Sequence, residues 1–135
     1  MLAVSVPRTR LHALRCLRRS HEEGEELRVY VAGPITHGDT LVNARVAFAA
    51  ATELMGNGFQ PFVPHSCYLM HMHAPQTYER WMEYDFAFLK VCHALLRLPG
   101  HSPGADREVE FAKQMGIPVF FDMEPLVNEL MSKVV

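Results

Sequence analysis

The chain has 135 residues, 49% of them apolar and 21% charged, with a formal net charge of −2. That composition excludes an intrinsically disordered chain and leaves room for one domain around one hydrophobic core. The near-neutral balance excludes the electrostatic footprint of a nucleic-acid polymer binder, although a single phosphate needs only a helix N-terminus and a few donors.

Cys16, Cys67 and Cys92 form no CxxC pair and read as free thiols of a reducing compartment, so a cytoplasmic location is expected. No apolar run approaches the ~20 residues that span a bilayer, so no membrane partner is expected.

Residues 1–27 differ from the rest. Arg8, Arg10, Arg15, Arg18 and Arg19 stand without an acid among the first residues, and Glu22, Glu23, Glu25 and Glu26 follow. A flexible extension, an organelle transit peptide and an accessory helix at a subunit interface all fit this pattern. Residues 28–135 carry the domain.

From Leu27 the signals are regular. LRVYVA at 27–32 is a β-branched and aromatic run that ends in Gly33-Pro34, which predicts a buried strand. PITHGDT at 34–40 is a loop, and Asp39 or Thr40 caps a helix reaching about Met55. Its apolar stripe reads as Val42, Val46, Ala49, Ala50 and Leu54, and Gly56 and Gly58 end it. Residues 59–63 form a second strand closed by Pro64. Residues 65–76 are irregular and rich in histidine. A second helix runs from about Thr77 to Val91, residues 93–98 form a third strand, and 99–104 (PGHSPG) a tight turn. A third helix covers about 104–115, residues 117–121 a fourth strand, and a helix from about Pro125 to Lys133 closes the chain.

Alternation of strand and helix predicts a doubly wound α/β fold, Rossmann- or flavodoxin-like, with a parallel sheet of four or five strands. Ligands of such sheets bind at the carboxyl ends of the strands.

Two carboxylates stand out there. The third helix places Glu108 in the stripe of Ala105, Val109, Ala112 and Met115, three residues after Ala105 and four before Ala112. The second helix places Asp85 in the stripe of Tyr78, Trp81, Met82 and Leu89. Inward carboxylates are rare unless paired or functional, so an acid/base or nucleophile pair is one expectation. Pairing with an inward arginine or with backbone donors is the other. In the turn before the third helix, Gly100, Ser102 and Gly104 offer backbone N–H groups suited to an anion, with Ser102 as N-cap and Pro103 as first helical residue. An ordinary strand-to-helix turn has the same residues.

Four segments taken together, VYVAGPIT at 29–36, PFVPH at 61–65, YDFAFLKVCHALLRLPG at 84–100 and SPGADREVEFAKQMGIPVF at 102–120, resemble the nucleoside 2-deoxyribosyltransferase-like superfamily. The likeness extends from about Arg28 to Phe121 and is closest to a small bacterial and phage branch related to 2′-deoxynucleoside 5′-phosphate N-hydrolases. Its most specific part is the small-residue turn followed by Glu-x-x-aromatic-Ala. The resemblance implies Glu108 as nucleophile on the anomeric carbon, Tyr30 as the residue that orients it, and Asp85 as the acid for the departing base or a sugar contact. It implies a ligand-facing first loop at Gly33 and Ile35. It also implies a phosphate or sugar held by Ser102 with the turn at Gly100 and Gly104, because serine stands where transferases acting on free nucleosides carry aspartate. Two departures are His93, where aspartate is common, and a first loop without the arginines of phosphate-recognising relatives. Relatives are often homo-oligomers that share residues across subunits, so a homodimer or higher homo-oligomer is expected.

His65 follows the second strand and is expected to line the pocket, with a satisfied structural histidine as the alternative. His65, Cys67, His71 and His73 match no standard zinc spacing, and neither metal nor organic cofactor is expected. Trp81 and Tyr78 read as core, with base-stacking groups as the alternative. His101 either contacts an anion or faces solvent. The expected activity is cleavage of the N-glycosidic bond of a nucleoside or nucleoside 5′-monophosphate, by hydrolysis or by transfer of the sugar to another base. A non-catalytic nucleotide-binding or sensor module is the alternative. A phosphoribohydrolase like the cytokinin-activating enzymes is a third reading, but its PGGxGT pattern is missing.

Overall fold

A computed structural model describes residues 26–134. Residues 1–25 lie outside the described residues, and with them Cys16 and nearly all of the N-terminal extension. Strand β1 (Arg28–Ala32) is followed by α1 (Thr40–Gly56), β2 (Gln60–Phe62), a 3-10 turn (Pro64–Cys67) and α2 (Tyr68–His73). Then come α3 (Tyr78–Leu89), β3 (Ala94–Arg97), α4 (Pro103–Gln114), β4 (Val119–Phe120) and α5 (Met123–Val134).

The sheet is parallel throughout, in the order β2-β1-β3-β4. The chain leaves β1 in one direction to make β2, then returns across β1 to make β3. Right-handed crossovers therefore place α1 on one face and α3 and α4 on the other. The strands supply both cores by simple alternation. Val29, Val31, Ala94 and Leu96 pack with Ala47 and Leu54 of α1 and with Leu126 and Leu130 of α5. Tyr30, Ala32 and Leu95 face the other way, onto Leu89 of α3 and Ala105, Val109 and Ala112 of α4. This is a doubly wound, Rossmann-like α/β fold.

The outer strand β2 has Pro61 at its centre, level with Val29. The Gln60 N–H turns inward, to the Leu27 carbonyl at 2.9 Å, so the ring nitrogen of Pro61 faces the open side.

The strands are shorter than the sequence predicts, and helix phase departs in places. Asp39, not Thr40, caps α1, accepting from the N–H groups of Leu41 and Val42 at 3.0 and 3.1 Å. The buried side of α1 is Ala47, Ala51 and Leu54, while Val42 and Val46 are exposed and Leu41 is 83% exposed. Helix α1 is apolar almost all round, so periodicity cannot fix which face turns inward. On α4, Met115 is the C-cap residue and half exposed rather than core. The histidine-rich stretch expected to be irregular folds into the 3-10 turn and α2.

Candidate active site

The order β2-β1-β3-β4 reverses direction between β1 and β3, and a crevice opens at their carboxyl ends, as in other doubly wound sheets. A cavity of about 490 Å³ fills it. The first loop contributes Gly33, Ile35, Thr36 and His37, and the segment after β2 contributes Pro64, Cys67, Tyr68 and His71. From α3 come Tyr78, Trp81, Met82 and Asp85; from the start of α4 come Ser102, Pro103, Gly104, Ala105 and Glu108.

Glu108 is 5% exposed and lines the cavity. Behind it Tyr30, wholly buried at the centre of β1, donates its hydroxyl to Oε2 of Glu108. Burial holds the Tyr30 hydroxyl protonated, and the neighbouring Glu108 and Asp85 charges act in the same sense. Asp85 projects from α3, 8% exposed, and its buried Oδ1 has no hydrogen-bond partner. Burial pushes Asp85 up to about 7. Glu108 is pushed up to about 8, first by burial and then by the Asp85 charge, against the Tyr30 hydrogen bond and the charge of Arg97. Two carboxyls thus face one small volume, and each makes ionisation of the other harder.

In the cavity wall, Ser102 caps α4 and accepts from the Ala105 N–H at 3.1 Å. Its own hydroxyl hydrogen stays available to a ligand acceptor. Pro103 at the first helical position has no N–H of its own. A carboxylate or phosphate oxygen placed here meets the positive end of the helix dipole.

Not every expected site residue faces the cavity. Gly100 has a φ of +113°, and a Cβ there would lie 2.8 Å from Cγ of Pro34. It locks the turn against the first loop and is not among the cavity walls. Gly33 does line the cavity, but the space kept by its missing side chain is taken by Leu98, whose Cβ would be 2.9 Å away. His65 is buried and also absent from the walls. Its Nε2 donates to the Pro34 carbonyl at 2.8 Å, and burial holds the ring neutral. It tethers the first loop from below. Gly104 and Ile35 are walls of the cavity. His93 accepts from the Arg28 N–H through Nδ1 at 2.9 Å, at the amino end of the sheet, opposite the cavity. The departure at that position is therefore structural.

The aromatic wall corrects one expectation and adds several residues. Trp81 and Tyr78 line the cavity instead of filling the core, and Tyr78 is 53% exposed beneath the Arg107 guanidinium, which sits 5.4 Å from its ring centre. Trp81 donates to Nδ1 of His71 at 2.8 Å, and the His71 ring in turn stacks on Tyr68. His101 is exposed, its ring edge-on to His37 at 5.2 Å. Among the described residues no three His, Cys, Asp or Glu side chains converge as a metal site.

The family described as "Domain of unknown function (DUF4406)" matches residues 27–121. The chain belongs to that family. The DUF4406 span takes in all four strands and every residue that lines the cavity, and it ends before α5. No curated protein matches the chain. Within the DUF4406 domain, no helix among the described residues is long and apolar enough to cross a membrane.

Proposed function

We propose that the protein cleaves the N-glycosidic bond of a nucleoside or nucleoside 5′-monophosphate, with water or a second base taking the (deoxy)ribosyl group. The observation that carries this reading is the buried pair, Glu108 held by Tyr30 and Asp85 with a bare Oδ1, facing one cavity. A volume of about 490 Å³ suits a small metabolite. The wall of Tyr68, His71 and Trp81 suits a flat base, and Ser102 at the start of α4 suits a phosphate or sugar hydroxyl.

The chemistry divides between the two carboxyls. A Glu108 carboxylate attacks C1′ of the sugar, the bond from C1′ to the base nitrogen breaks, and the electron pair leaves with the base. Asp85 supplies the proton that neutralises the leaving base. Water or an acceptor base, deprotonated by Asp85, then attacks C1′ and frees Glu108. This is the division of labour of retaining glycosidases. It requires one proton on the pair, and Tyr30 favours the charge on Glu108 by donating to it.

The likeness of the four motif segments to nucleoside 2-deoxyribosyltransferases supports the same reading. With it come a cytoplasmic homodimer or higher homo-oligomer and no resident cofactor or metal. One observation favours a non-catalytic nucleotide-binding module instead: a Glu108 pushed up to about 8 is mostly protonated at neutral pH and is then a poor nucleophile.

Purified protein incubated with ribo- and deoxynucleosides and their 5′-monophosphates, with and without an acceptor base, separates the two. Free base released by the wild type and not by Glu108→Ala supports cleavage. Intact nucleotide that stays bound supports the module.

A further inference from the structure

Among the described residues only Asp85 and Glu108 are buried acids, and Arg97 is the only buried lysine or arginine. Arg97 ends β3 level with Ala32 of β1, and strand alternation turns it to the same side as Leu95 and Tyr30. It is 8% exposed. Its guanidinium donates through Nη1 to the Leu98 carbonyl, and through Nη2 to the Gly100 carbonyl at 2.9 Å and to Oδ1 of Asp106 at 3.0 Å. Those partners are the turn 98–100 and the first turn of α4, the two pieces that place Ser102 and Glu108. Gly100 in turn rests on Pro34 of the first loop.

We propose that Arg97 is the positioning residue of this site: its fork fixes the turn that opens α4, and its buried charge, on the same side of the sheet as Tyr30, favours one negative charge on the Asp85–Glu108 pair.

A buried cation left without a buried anion costs free energy, and so does a pair of buried anions beside one cation. One guanidinium with two carboxyls sharing one proton is the neutral combination. The anion that Arg97 touches directly, Asp106, is 67% exposed, so water weakens that pair and it offsets the buried charge only in part. His37 of the first loop and His71 of α2 line the same cavity, and several other titratable groups around the pair are held neutral. Tyr30 on β1, Tyr84 on α3, Cys67 of the 3-10 turn and Cys92 before β3 are all raised by burial, and His65 is lowered by it. Val119 and Phe120 of β4 carry no charge. The singly protonated pair is the state that the proposed reaction requires, so this inference rests on that reading for its purpose. Its physical content is independent of turnover.

The test is a titration of the Glu108 and Asp85 carboxyl carbons by 13C NMR in the ligand-free full chain, with Glu108→Gln and Asp85→Asn assigning the signals. Arg97→Met is expected to raise the pH at which the pair loses its first proton by about one pH unit. Arg97→Lys, which keeps the charge and lacks the fork, is expected to restore that titration. Where base release is measurable, Arg97→Met should lower kcat at least tenfold and move the acid limb of the pH profile upward with the titration. Should Arg97→Met fail to fold, Arg97→Gln keeps donors for the turn and removes the charge, and it carries the same expectation. Carboxyl titrations unchanged in the folded neutral variant would overturn the inference, whether or not the wild type releases base. Absence of base release with the titrations shifted as expected would sink the proposed reaction alone.

Discussion

Tyr30 and Glu108, separated by 78 positions in the chain, meet in a buried hydrogen bond beneath the cavity. One lies on the central strand and the other on the helix packed over it, so both side chains are held by packed elements rather than by loops. A donor on Glu108 favours its ionised form. Tyr30→Phe is therefore expected to raise the Glu108 carboxyl further and to lower kcat by roughly 10–100-fold, with KM little changed. Steady-state rates across pH check this, because the acid limb should move upward as well.

The wild-type pH profile has its own signature. With Asp85 at about 7 and Glu108 at about 8, the pair carries one proton chiefly in a narrow window between those values, mostly on Glu108, so the reactive form, with the charge on Glu108 and the proton on Asp85, is the minor one of the two. Below it no nucleophile is ionised, and above it no acid remains. A bell with its maximum between pH 7 and 8 is expected in kcat/KM.

The same shifts set the sign of a stability change. Both carboxyls are raised above their ordinary values of 3.8 and 4.5, so the folded state retains protons that the unfolded chain has released. Their contribution is intact below about pH 4 and is lost as pH rises toward 8. Asp85→Asn, which leaves no charge to bury, should unfold later than the wild type at pH 8. A gain on the order of 1–2 kcal/mol, several degrees in Tm, is expected. At pH 4 the advantage should vanish, and thermal unfolding at the two pH values reads it directly.

The turn and the first loop fit each other closely at Gly100 and Pro34. Gly100→Ala forces a left-handed backbone position on alanine and drives its Cβ to 2.8 Å from Pro34 Cγ. A loss of about 1–3 kcal/mol is expected in denaturant unfolding. Ligand affinity should fall with it, because Ser102 follows on the same turn.

The aromatic wall is expected to act on binding rather than chemistry. Trp81→Ala removes a cavity face and releases His71. A rise in KM of roughly tenfold, with kcat held within about threefold, would match a lost base-stacking contact. Equal loss of both constants would place Trp81 elsewhere in the reaction.

Much of the fold was legible because strands and helices alternate and β-branched runs are bounded by Gly and Pro. Glu108 and Asp85 were legible for one reason: each breaks the apolar stripe of its helix, and both helices have a clear polar side. Helix α1 has no such contrast, and its phase was misread. Tyr78 and Trp81 share a stripe with Met82 and Leu89, but that stripe passes from core to cavity near the start of α3, and sequence spacing has no marker for that border. Arg97 sits inside an otherwise apolar strand, where a single charge does not mark a site. Its alternation with Leu95 was the available signal, since it places a cation on the same face as Tyr30. The roles of Gly100 and His65 as ties between loops depend on Pro34, a contact between segments far apart in the chain.

Pro61, at the centre of β2, has a further consequence. Its ring nitrogen faces the open side of the sheet, so that rim presents a carbonyl and no N–H at its middle, and β2 is only three residues long. The opposite rim, β4, has two residues. Neither margin offers the repeating donor and acceptor row that templates strand addition. The described residues are in this way guarded against edge-to-edge aggregation, which leaves their helices and loops as the surfaces through which copies could associate.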